Sequence, residues 1–145
     1  MNTNAKKPLF LVVEDDPDHR FLLDWSYQKS NQSCHILFAK DGKQALELLD
    51  TLPVPPSMVL LDYHLPDMNG VEVLKTLRNS TVWKALPVLM LSFYSQKEVI
   101  DLAYDAGVNA FMSKPGSRRE YIDLWNAIFG FWHQYAQVPP AGRMD

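Results

Sequence analysis

Asp62 is the residue whose position in this chain points most directly to chemistry. It follows the apolar run 58–61 and precedes a stretch rich in proline, aspartate, asparagine and glycine, a pattern typical of a buried strand that ends in a turn. Glu14-Asp15 and Ser92 end two other apolar runs in the same way. Ligands of open parallel sheets bind beyond the carboxyl ends of the strands. The sequence therefore predicts one site at that edge, with a carboxylate at its centre.

The acidic residues of this predicted site suit a magnesium ion. Magnesium takes oxygen ligands in octahedral geometry and keeps several waters, so it needs only one or two carboxylates. Asp15 and Asp62 can ligate it directly, and Glu14 can do so through a water. Clustered carboxylates repel one another, and a divalent ion neutralises them while attracting a phosphorylated substrate. We therefore expect Mg²⁺ as the cofactor rather than zinc, which favours histidine and cysteine.

A hydroxyl and a lysine complete a predicted phosphoryl-transfer site. Lys114-Pro115 follows the last apolar run and brings a cation to the same edge as Asp62. Ser92 can hydrogen-bond a phosphoryl oxygen and Lys114 can add a point charge, which together give the electrostatic stabilisation that phosphoryl transfer needs. Asp62 would be the nucleophile that attacks phosphorus.

Short apolar runs alternate with amphipathic segments along the chain, which predicts a series of βαβ units. The predicted strands are Leu9–Val13, His35–Ala39, Met58–Leu61, Pro87–Leu91 and Asn109–Met112. The predicted helices are Pro17 to Lys29 after the N-cap Asp16, two that begin at Asp41-Gly42 and Asn69-Gly70, one capped by Ser95 and ended by Gly107, and one from Ser117 to Tyr135. The predicted fold class is α/β, with a doubly wound, five-stranded parallel sheet and helices on both faces.

The gross properties of the chain narrow its possible partners and location. Its 145 residues give room for one domain, which we expect at residues 8–135, between an N-terminal extension (1–7) and a flexible C-terminal tail (136–145). The single cysteine, Cys34, cannot form an internal disulfide, and the N-terminus lacks a signal-peptide pattern, so we expect a cytoplasmic protein. The net charge of -3 argues against nucleic acid, and no apolar run has membrane-spanning length. Proteins are the expected partners.

The order of these motifs resembles the receiver domain of two-component response regulators. Glu14-Asp15, Asp62, Ser92 and Lys114-Pro115 each follow a predicted strand, as they do in that family, and the spacings between them are also similar. The resemblance covers about residues 8–135 and is strongest to the stand-alone regulators of the chemotaxis type. It implies the flavodoxin-like receiver fold.

The family resemblance also implies a function and a ligand set. Asp62 would accept a phosphoryl group from the phosphohistidine of a sensor histidine kinase or a histidine phosphotransfer protein. Asp15, Asp62 and the main-chain carbonyl of His64 would ligate the magnesium, with Glu14 assisting. Such a protein is a phosphoacceptor that catalyses its own phosphorylation and dephosphorylation, and it is not otherwise an enzyme.

The resemblance further implies a conformational switch. Ser92 would move toward the new phosphoryl group, and Phe111 would swing into the vacated space, which alters the face built by the fourth helix, fifth strand and fifth helix. Members of the family often carry tyrosine where Phe111 stands, so aromatic packing would replace a hydroxyl contact here. Phe93 stands where the family usually has a small residue and is therefore a candidate gate to the site.

The last predicted helix is more aromatic than one sheet-facing stripe requires. Trp125, Ile128 and Trp132 are expected to pack on the sheet, while Phe131 and its neighbours leave apolar surface for a homodimer or another partner. Regulators of the phytochrome-associated type have a similarly aromatic helix end.

Two other functions compete with a phosphorylated receiver. In a pseudo-receiver, Phe93 would close the site and the chain would act only as a protein-interaction module. In a phosphatase of the haloacid-dehalogenase type, a second acid would follow the nucleophile by two residues, and here that position holds His64. Magnesium binding and phosphorylation distinguish the receiver from the pseudo-receiver.

Overall fold

Five parallel strands form one sheet in the computed structural model of the chain, which describes residues 8–30 and 34–133. The strands are β1 (Leu9–Val13), β2 (His35–Ala39), β3 (Met58–Asp62), β4 (Val88–Ser92) and β5 (Ala110–Ser113). Their order in the sheet is β2-β1-β3-β4-β5, and each neighbouring pair is parallel. The order reverses beside β1, where the chain switches from one half of the sheet to the other. A ligand site is expected at the carboxyl ends of the strands near this switch point.

Five helices cover both faces of the sheet. They are α1 (Pro17–Lys29), α2 (Gly42–Thr51), α3 (Gly70–Arg78), α4 (Lys97–Asp105) and α5 (Arg118–Ile128). One hydrophobic core lies between the sheet and α2, α3 and α4, and a second lies between the sheet and α1 and α5. The predicted doubly wound α/β fold is therefore confirmed.

Side-chain caps explain where four of the helices begin. Asp16, Asp41, Asn69 and Ser117 each accept a hydrogen bond from a backbone N–H in the first turn of the helix that follows. The prediction that Ser95 caps the fourth helix is wrong. Gln96 is the cap residue, and within the described residues its side chain makes no capping hydrogen bond.

A local turn precedes α4 in the chain. The Ser92 hydroxyl accepts a hydrogen bond from the backbone N–H of Tyr94 at 2.9 Å, which makes a local turn immediately after β4. The helix is capped at Gln96, two residues after Tyr94 and one residue later than the serine pattern predicted.

The other differences concern the limits of elements, and β4 and β5 begin one residue later than predicted, at Val88 and Ala110. β3, β4 and β5 end one residue later than predicted because Asp62, Ser92 and Ser113 still pair with neighbouring strands through their backbones. A pattern of apolar residues misses such polar strand ends. The last helix leaves α geometry after Ile128 and continues as a π-helical turn, Phe129–His133. Its predicted end at Tyr135, and the predicted segments 1–7 and 136–145, lie outside the described residues.

Polar contacts inside the apolar layer join α1 to α5. Trp125 is fully buried, and its indole N–H lies 3.0 Å from both the Leu23 carbonyl and the Ser26 hydroxyl oxygen. Ser26 is itself fully buried and donates to the Leu23 carbonyl. A buried indole needs such an acceptor, since an unpaired donor costs about 1–3 kcal/mol. These hydrogen bonds fix the relative position of α1 and α5, in addition to the apolar surface that the two helices bury between them.

Arg78 forms hydrogen bonds at the amino-terminal ends of β4 and β5. Its guanidinium donates to the carbonyls of Gly107 and Leu86 at 2.9 and 2.8 Å, and to the side-chain oxygen of Asn109 at 3.0 Å. Burial lowers the pKa of Arg78. Gly107 has a φ of 99°, and a Cβ there would lie 3.0 Å from the Arg78 side chain, so glycine is needed both for the backbone and for this contact. This arginine ties the C-terminal end of α4 to the starts of β4 and β5.

Candidate phosphoryl-transfer site

An open cleft of about 390 Å³ lies beyond the carboxyl ends of the strands. The residues that line it are Glu14, Asp15, Asp16, His19, Asp62, His64, Leu65, Pro66, Phe93, Tyr94 and Lys114. The structure therefore brings the predicted acids and the predicted lysine together at the expected edge of the sheet. Asp62 ends β3 at the centre of this cleft, while Glu14 and Asp15 follow β1.

The acidic trio Glu14, Asp15 and Asp62 could hold a divalent cation. One carboxylate oxygen from each residue lies within 4.8 Å of the other two. This set offers oxygen ligands, which suit Mg²⁺ and not a thiolate-seeking metal. Glu14 is the most engaged of the three, because Oε1 contacts His19 and Lys114 while Oε2 accepts the Asp16 N–H. Glu14 is thus better placed to act through a water than as a direct ligand.

Lys114 is buried beside two of these carboxylates. Its Nζ lies 3.0 Å from Glu14 Oε1 and 3.0 Å from Asp62 Oδ2, and its side chain is 5% exposed. Its backbone N–H donates to the Ser92 carbonyl, which fixes the chain just after β5. The ammonium group therefore stands where it can meet an anion attached to Asp62.

The carboxyl groups in the cleft carry different pKa shifts. Burial raises the pKa of Asp62, the charge of Glu14 raises it further, and Lys114 only partly offsets both, so the value is about 6. Burial also opposes ionisation of Glu14, but hydrogen bonds from His19 and Asp62 and the charge of Lys114 outweigh it and lower its pKa to about 2. Burial and the charge of Glu14 raise the pKa of Asp15. The site resists full ionisation, which is the condition that a bound cation relieves.

The turn after β3 is shaped around Asp62. The His64 N–H donates to Asp62 Oδ1 at 3.1 Å, and the His64 ring packs against the rings of Tyr63 and Tyr94. The ring is thus occupied with aromatic contacts, and the main-chain carbonyl of His64 stays the predicted metal ligand. Gly70 allows the close approach of α3, since a Cβ there would lie 2.6 Å from the Asp62 carbonyl oxygen.

The two predicted switch residues lie on the α4 side of the cleft. Ser92 is fully buried at the end of β4, next to Asp62 on β3. Phe111 is half-buried on β5 and packs against the core that lies under α2, α3 and α4. Its backbone N–H donates to the Tyr104 hydroxyl on α4 at 3.1 Å. Phe111 therefore touches both the core and the helix that it is predicted to influence.

Comparison with known proteins agrees with this geometry. The response regulator receiver domain family matches residues 10–126, which is most of the chain. The chain belongs to the response regulator receiver family. The receiver is 25% identical to the response regulator Rcp1 of Synechocystis, over 96% of this chain and 97% of Rcp1.

Solved structures of receivers have the same fold. The crystal structure of the response regulator RPA3017 in red light signalling of R. palustris superposes with a TM-score of 0.85 at 28% identity, covering 91% of this chain and 98% of that one. The phosphorylated cyanobacterial phytochrome response regulator RcpA gives 0.84 at 26% identity, covering 93% and 99%. The predicted likeness to stand-alone receivers, including the phytochrome-associated ones, is confirmed.

Phe93 lies over the cleft of this receiver. Its side chain is 66% exposed, and its ring centre is 4.8 Å from Lys114 Nζ and 5.7 Å from the His19 ring centre. A cation over an aromatic face is attractive. The ring therefore covers the lysine without filling the cleft, and its role as a gate stays a prediction.

His19 and Tyr121 are site residues that sequence analysis missed. His19 lies on α1, with Nδ1 2.5 Å from Glu14 Oε1 and Nε2 2.5 Å from the Tyr121 hydroxyl on α5. Burial, with the charges of Glu14 and Asp62, raises the pKa of Tyr121 to about 12, so its hydroxyl keeps its proton. A signal was present, because His19 shares the spacing of the buried α1 residues Leu23 and Ser26. The contact of His19 with Tyr121, which lies 102 positions further along the chain, could not be predicted from the sequence.

The helices of the receiver are short. Within residues 8–30 and 34–133, no helix is both long and apolar enough to cross a membrane.

Proposed function

We propose that this receiver accepts a phosphoryl group on Asp62 from the phosphohistidine of a sensor histidine kinase or a histidine phosphotransfer protein. The observation that carries the proposal is the position of Asp62 at a strand end, between the acids of the trio and 3.0 Å from the buried Lys114 ammonium. Membership of the receiver family and the phosphorylated state of its relative RcpA support it. Because such donors obtain phosphate from ATP, we also propose a cytoplasmic location.

The residues around Asp62 define its chemical steps. A carboxylate oxygen of Asp62 attacks phosphorus, the bond between phosphorus and the imidazole nitrogen of the donor breaks, and the imidazole leaves with the bond electrons and takes up a proton. Lys114 and the Ser92 hydroxyl would hold the phosphoryl oxygens. Water later attacks the same phosphorus, which releases inorganic phosphate and restores Asp62. The receiver thus catalyses its own phosphorylation and dephosphorylation.

We propose Mg²⁺ as the cation held by Asp15, Asp62 and the His64 carbonyl, with Glu14 acting through a water. When bound, it would neutralise the negative charge that gathers between the carboxylates and the phosphoryl oxygens. The oxygen-only donor set of the trio and the resistance of these acids to full ionisation support this assignment.

Intact-mass measurement tests the phosphorylation directly. With acetyl phosphate and Mg²⁺, the parent should gain one phosphoryl group and Asp62→Asn should gain none. Asp50→Asn is the matched control, because Asp50 is exposed near the C-terminal end of α2, and it should behave as the parent. An unshifted parent with donor and metal both present would exclude the proposal and favour the pseudo-receiver, in which Phe93 over Lys114 blocks the site.

Calorimetric titration tests the metal assignment. Asp15→Ala should lose most of the Mg²⁺ affinity, because it deletes a direct ligand from the trio. Asp18→Ala is the matched control, since Asp18 is exposed on α1 and outside the trio, and it should bind Mg²⁺ as the parent does. Equal affinities of Asp15→Ala and the parent would refute the ligand assignment.

We further propose that phosphorylation changes the face built by α4, β5 and α5, and that this face binds a protein partner, with a second copy of the chain as the first candidate. Phe111 links the core to α4 there, and Phe131, just beyond α5, is 57% exposed. The net charge of -3 gives no support for nucleic-acid binding. Light scattering with and without beryllofluoride should detect association that Phe131→Glu removes. A parent that stays monomeric in both states would contradict self-association.

A further inference from the structure

A buried chain of polar side chains runs from the acidic trio into α5. Its contacts are Glu14 Oε1 to His19 Nδ1 and His19 Nε2 to the Tyr121 hydroxyl, both at 2.5 Å. The side chains of Glu14 and Tyr121 are 2% exposed and His19 is 8% exposed, so water competes little for these contacts. Lys114 Nζ approaches the same His19 nitrogen at 3.1 Å and Glu14 at 3.0 Å. One imidazole therefore contacts two charged groups of the site.

The distances assign the hydrogen atoms of this chain. A separation of 2.5 Å between His19 Nδ1 and a Glu14 oxygen requires a proton between them, so Nδ1 carries the hydrogen and donates to the carboxylate. In the neutral ring, Nε2 is then an acceptor, and the Tyr121 hydroxyl, which keeps its proton, donates to it. The opposite tautomer would point the Nδ1 lone pair at the Glu14 oxygen. The Glu14 carboxylate, which can only accept, thus selects this tautomer, and the Tyr121 hydroxyl completes it by donating to Nε2.

The position of Glu14 follows from this selection. Its Oε1 is fixed by His19 and Lys114, and its Oε2 is fixed by the Asp16 N–H. Without a donor at Tyr121, His19 Nε2 would be a buried acceptor left without this partner, which favours rotation of the ring. Such a rotation would release Glu14 from its present orientation beside Asp62 and Lys114.

We propose that His19 is a positioning residue of the phosphoryl-transfer site and that the Tyr121 hydroxyl holds its ring in place. His19 would aim Glu14 at the water shell of the cation, and Glu14 in that orientation would keep Lys114 next to Asp62. This inference rests on the proposed function for the identity of the cation and of the phosphoryl step. Outer residues that orient ligand side chains typically change metal affinity by about 10–100-fold when they are removed.

Nitrogen NMR of the parent tests the tautomer without any variant. The ¹⁵N shifts and proton couplings of His19 in the metal-free protein should show hydrogen on Nδ1 and an acceptor Nε2. Tyr121→Phe keeps the ring of Tyr121 and removes only its hydroxyl, so the same spectra should keep hydrogen on Nδ1, which Glu14 accepts, while Nε2 loses its hydrogen-bond donor. Hydrogen on Nε2 alone in the parent would overturn the proposal.

A double-mutant cycle in Mg²⁺ affinity tests the positioning role. His19→Leu should weaken Mg²⁺ binding by about tenfold or more. Tyr121→Phe alone should weaken it by about 2–10-fold, which is the value of one neutral hydrogen bond. In the His19→Leu background, Tyr121→Phe should add no further loss, because its hydroxyl acts only through the imidazole. Additive losses would mean that the two residues act independently, and would refute the proposal.

Two further variants separate positioning from stability. Tyr27→Phe removes a hydroxyl that joins α1 to the Cys34 backbone in the same layer, so it should lower stability without changing Mg²⁺ affinity. A loss of affinity equal to that of Tyr121→Phe would overturn the proposal. His19→Asn can still donate to Glu14 but cannot reach Tyr121, and it should recover part of the affinity that His19→Leu loses. No recovery would contradict the role given to the Nδ1 hydrogen.

The NMR test reads the tautomer and the cycle reads Mg²⁺ affinity, and neither needs phosphorylation, so they distinguish this inference from the proposed function. If the expected tautomer and cycle are found in a parent that acetyl phosphate leaves unmodified, the positioning role stands and phosphorylation fails. If the parent is phosphorylated but the cycle is additive, the receiver function stands and the positioning role fails. Where the parent is phosphorylated and the positioning role also holds, phosphorylation rates at saturating Mg²⁺ should fall in His19→Leu, because Lys114 would depend on the imidazole through Glu14.

Discussion

The α5 side and the α4 side of the cleft are held in different ways. On the α5 side, Tyr121, Trp125 and Ile128 are buried, and two of them hydrogen-bond to groups on α1. On the α4 side, only Ala103 is buried among the nine residues of the helix, all of which are described. Leu102 and Tyr104 are each about half exposed. One flank of the site is therefore a packed, hydrogen-bonded layer, and the other is a lightly attached helix.

This difference shows which groups the fold keeps still. The groups on the α5 side, Lys114 and the His19 contact to Glu14, are held by buried hydrogen bonds between helices and strands. The groups on the α4 side, Ser92 and Phe111, are the ones that the receiver switch is expected to move. Elements with little buried area open or shift at low free-energy cost. Under the proposed function, the site would hold a phosphoryl group on the α5 flank and report it through the α4 flank.

The largest effect should come from breaking the packed flank. Trp125→Ala removes a fully buried side chain and its hydrogen bonds to α1, and it should lower the free energy of unfolding by about 3–5 kcal/mol. Leu102→Ala on α4 is the matched control, because its side chain is half exposed, and it should cost less than about 1 kcal/mol. Urea denaturation measures both. Similar losses would remove the contrast between the flanks.

The second-largest effect should be on the free energy of unfolding when Asp62, which lies between the two flanks, is replaced. Its folded pKa of about 6 lies above the ordinary value of 3.8, so the fold favours the protonated form. That contribution is fully present below about pH 4 and is lost as the pH rises through 6. Asp62→Asn carries no charge and should exceed the parent in metal-free stability by roughly 1–3 kcal/mol at about pH 8.

Denaturation measured at several pH values tests whether Asp62→Asn is more stable than the parent, as predicted. The gap between Asp62→Asn and the parent should be small at about pH 4 and should widen until the pH passes 6. Added Mg²⁺ should narrow the gap at high pH, because it binds the ionised parent and stabilises it by mass action. A gap that stays constant with pH would mean that the variant acts through packing and not through charge.

A smaller effect, on the rate of phosphorylation, is expected from Phe93, whose ring lies over the cleft. Phe93→Ala should speed phosphorylation by acetyl phosphate about 2–5-fold, the range that corresponds to one exposed cation–π contact with Lys114. Phe21→Ala is the matched control, since Phe21 is 70% exposed on α1 and does not line the cleft. Time courses of intact mass give the rates. Equal rates for both variants would show that the ring does not limit access.

The smallest effect should come from the contact between α4 and β5. Tyr104→Phe removes the hydroxyl that accepts the Phe111 N–H, and it should cost about 1 kcal/mol or less because the pair is exposed. The exchange rate of the Phe111 amide should rise, while amides in β1 should keep their protection. Amide hydrogen exchange followed by NMR measures both. If the Phe111 amide were equally protected in the variant, the hydroxyl would not be holding α4 to the strand.

The sequence was sufficient for those parts of the site that lie at strand ends. Asp62, Ser92 and Lys114 each follow an apolar run, and parallel pairing necessarily brings such positions to one edge. Helix starts were predictable where Asp41 or Asn69 precedes a glycine and an amphipathic stretch. The start of α4 was not, because the cap residue is Gln96, whose side chain, within the described part of the chain, makes no capping hydrogen bond.

Contacts between distant helices were beyond a single sequence. His19 and Tyr121 each lie on a buried stripe, and a stripe tells which face of a helix is covered but not which atoms meet across it. The same holds for Arg78, whose five acceptors depend on the relative placement of two loops, one between α3 and β4 and one between α4 and β5. The sequence pattern determines the layers, and the side-chain pairing between layers requires coordinates.

Arg78 has a mechanical consequence for α4. It hydrogen-bonds the carbonyl of Gly107, just beyond the C-terminal end of the helix, whereas Gln96 at the N-terminal end, among the described residues, makes no side-chain cap. A helix held at its C-terminal end can turn about that end, so the largest displacement is expected at the N-terminal end of α4, on the side of Ser92. Under the proposed switch, the guanidinium would be the pivot of this rotation, and a small movement of the Ser92 hydroxyl would displace the exposed surface of α4.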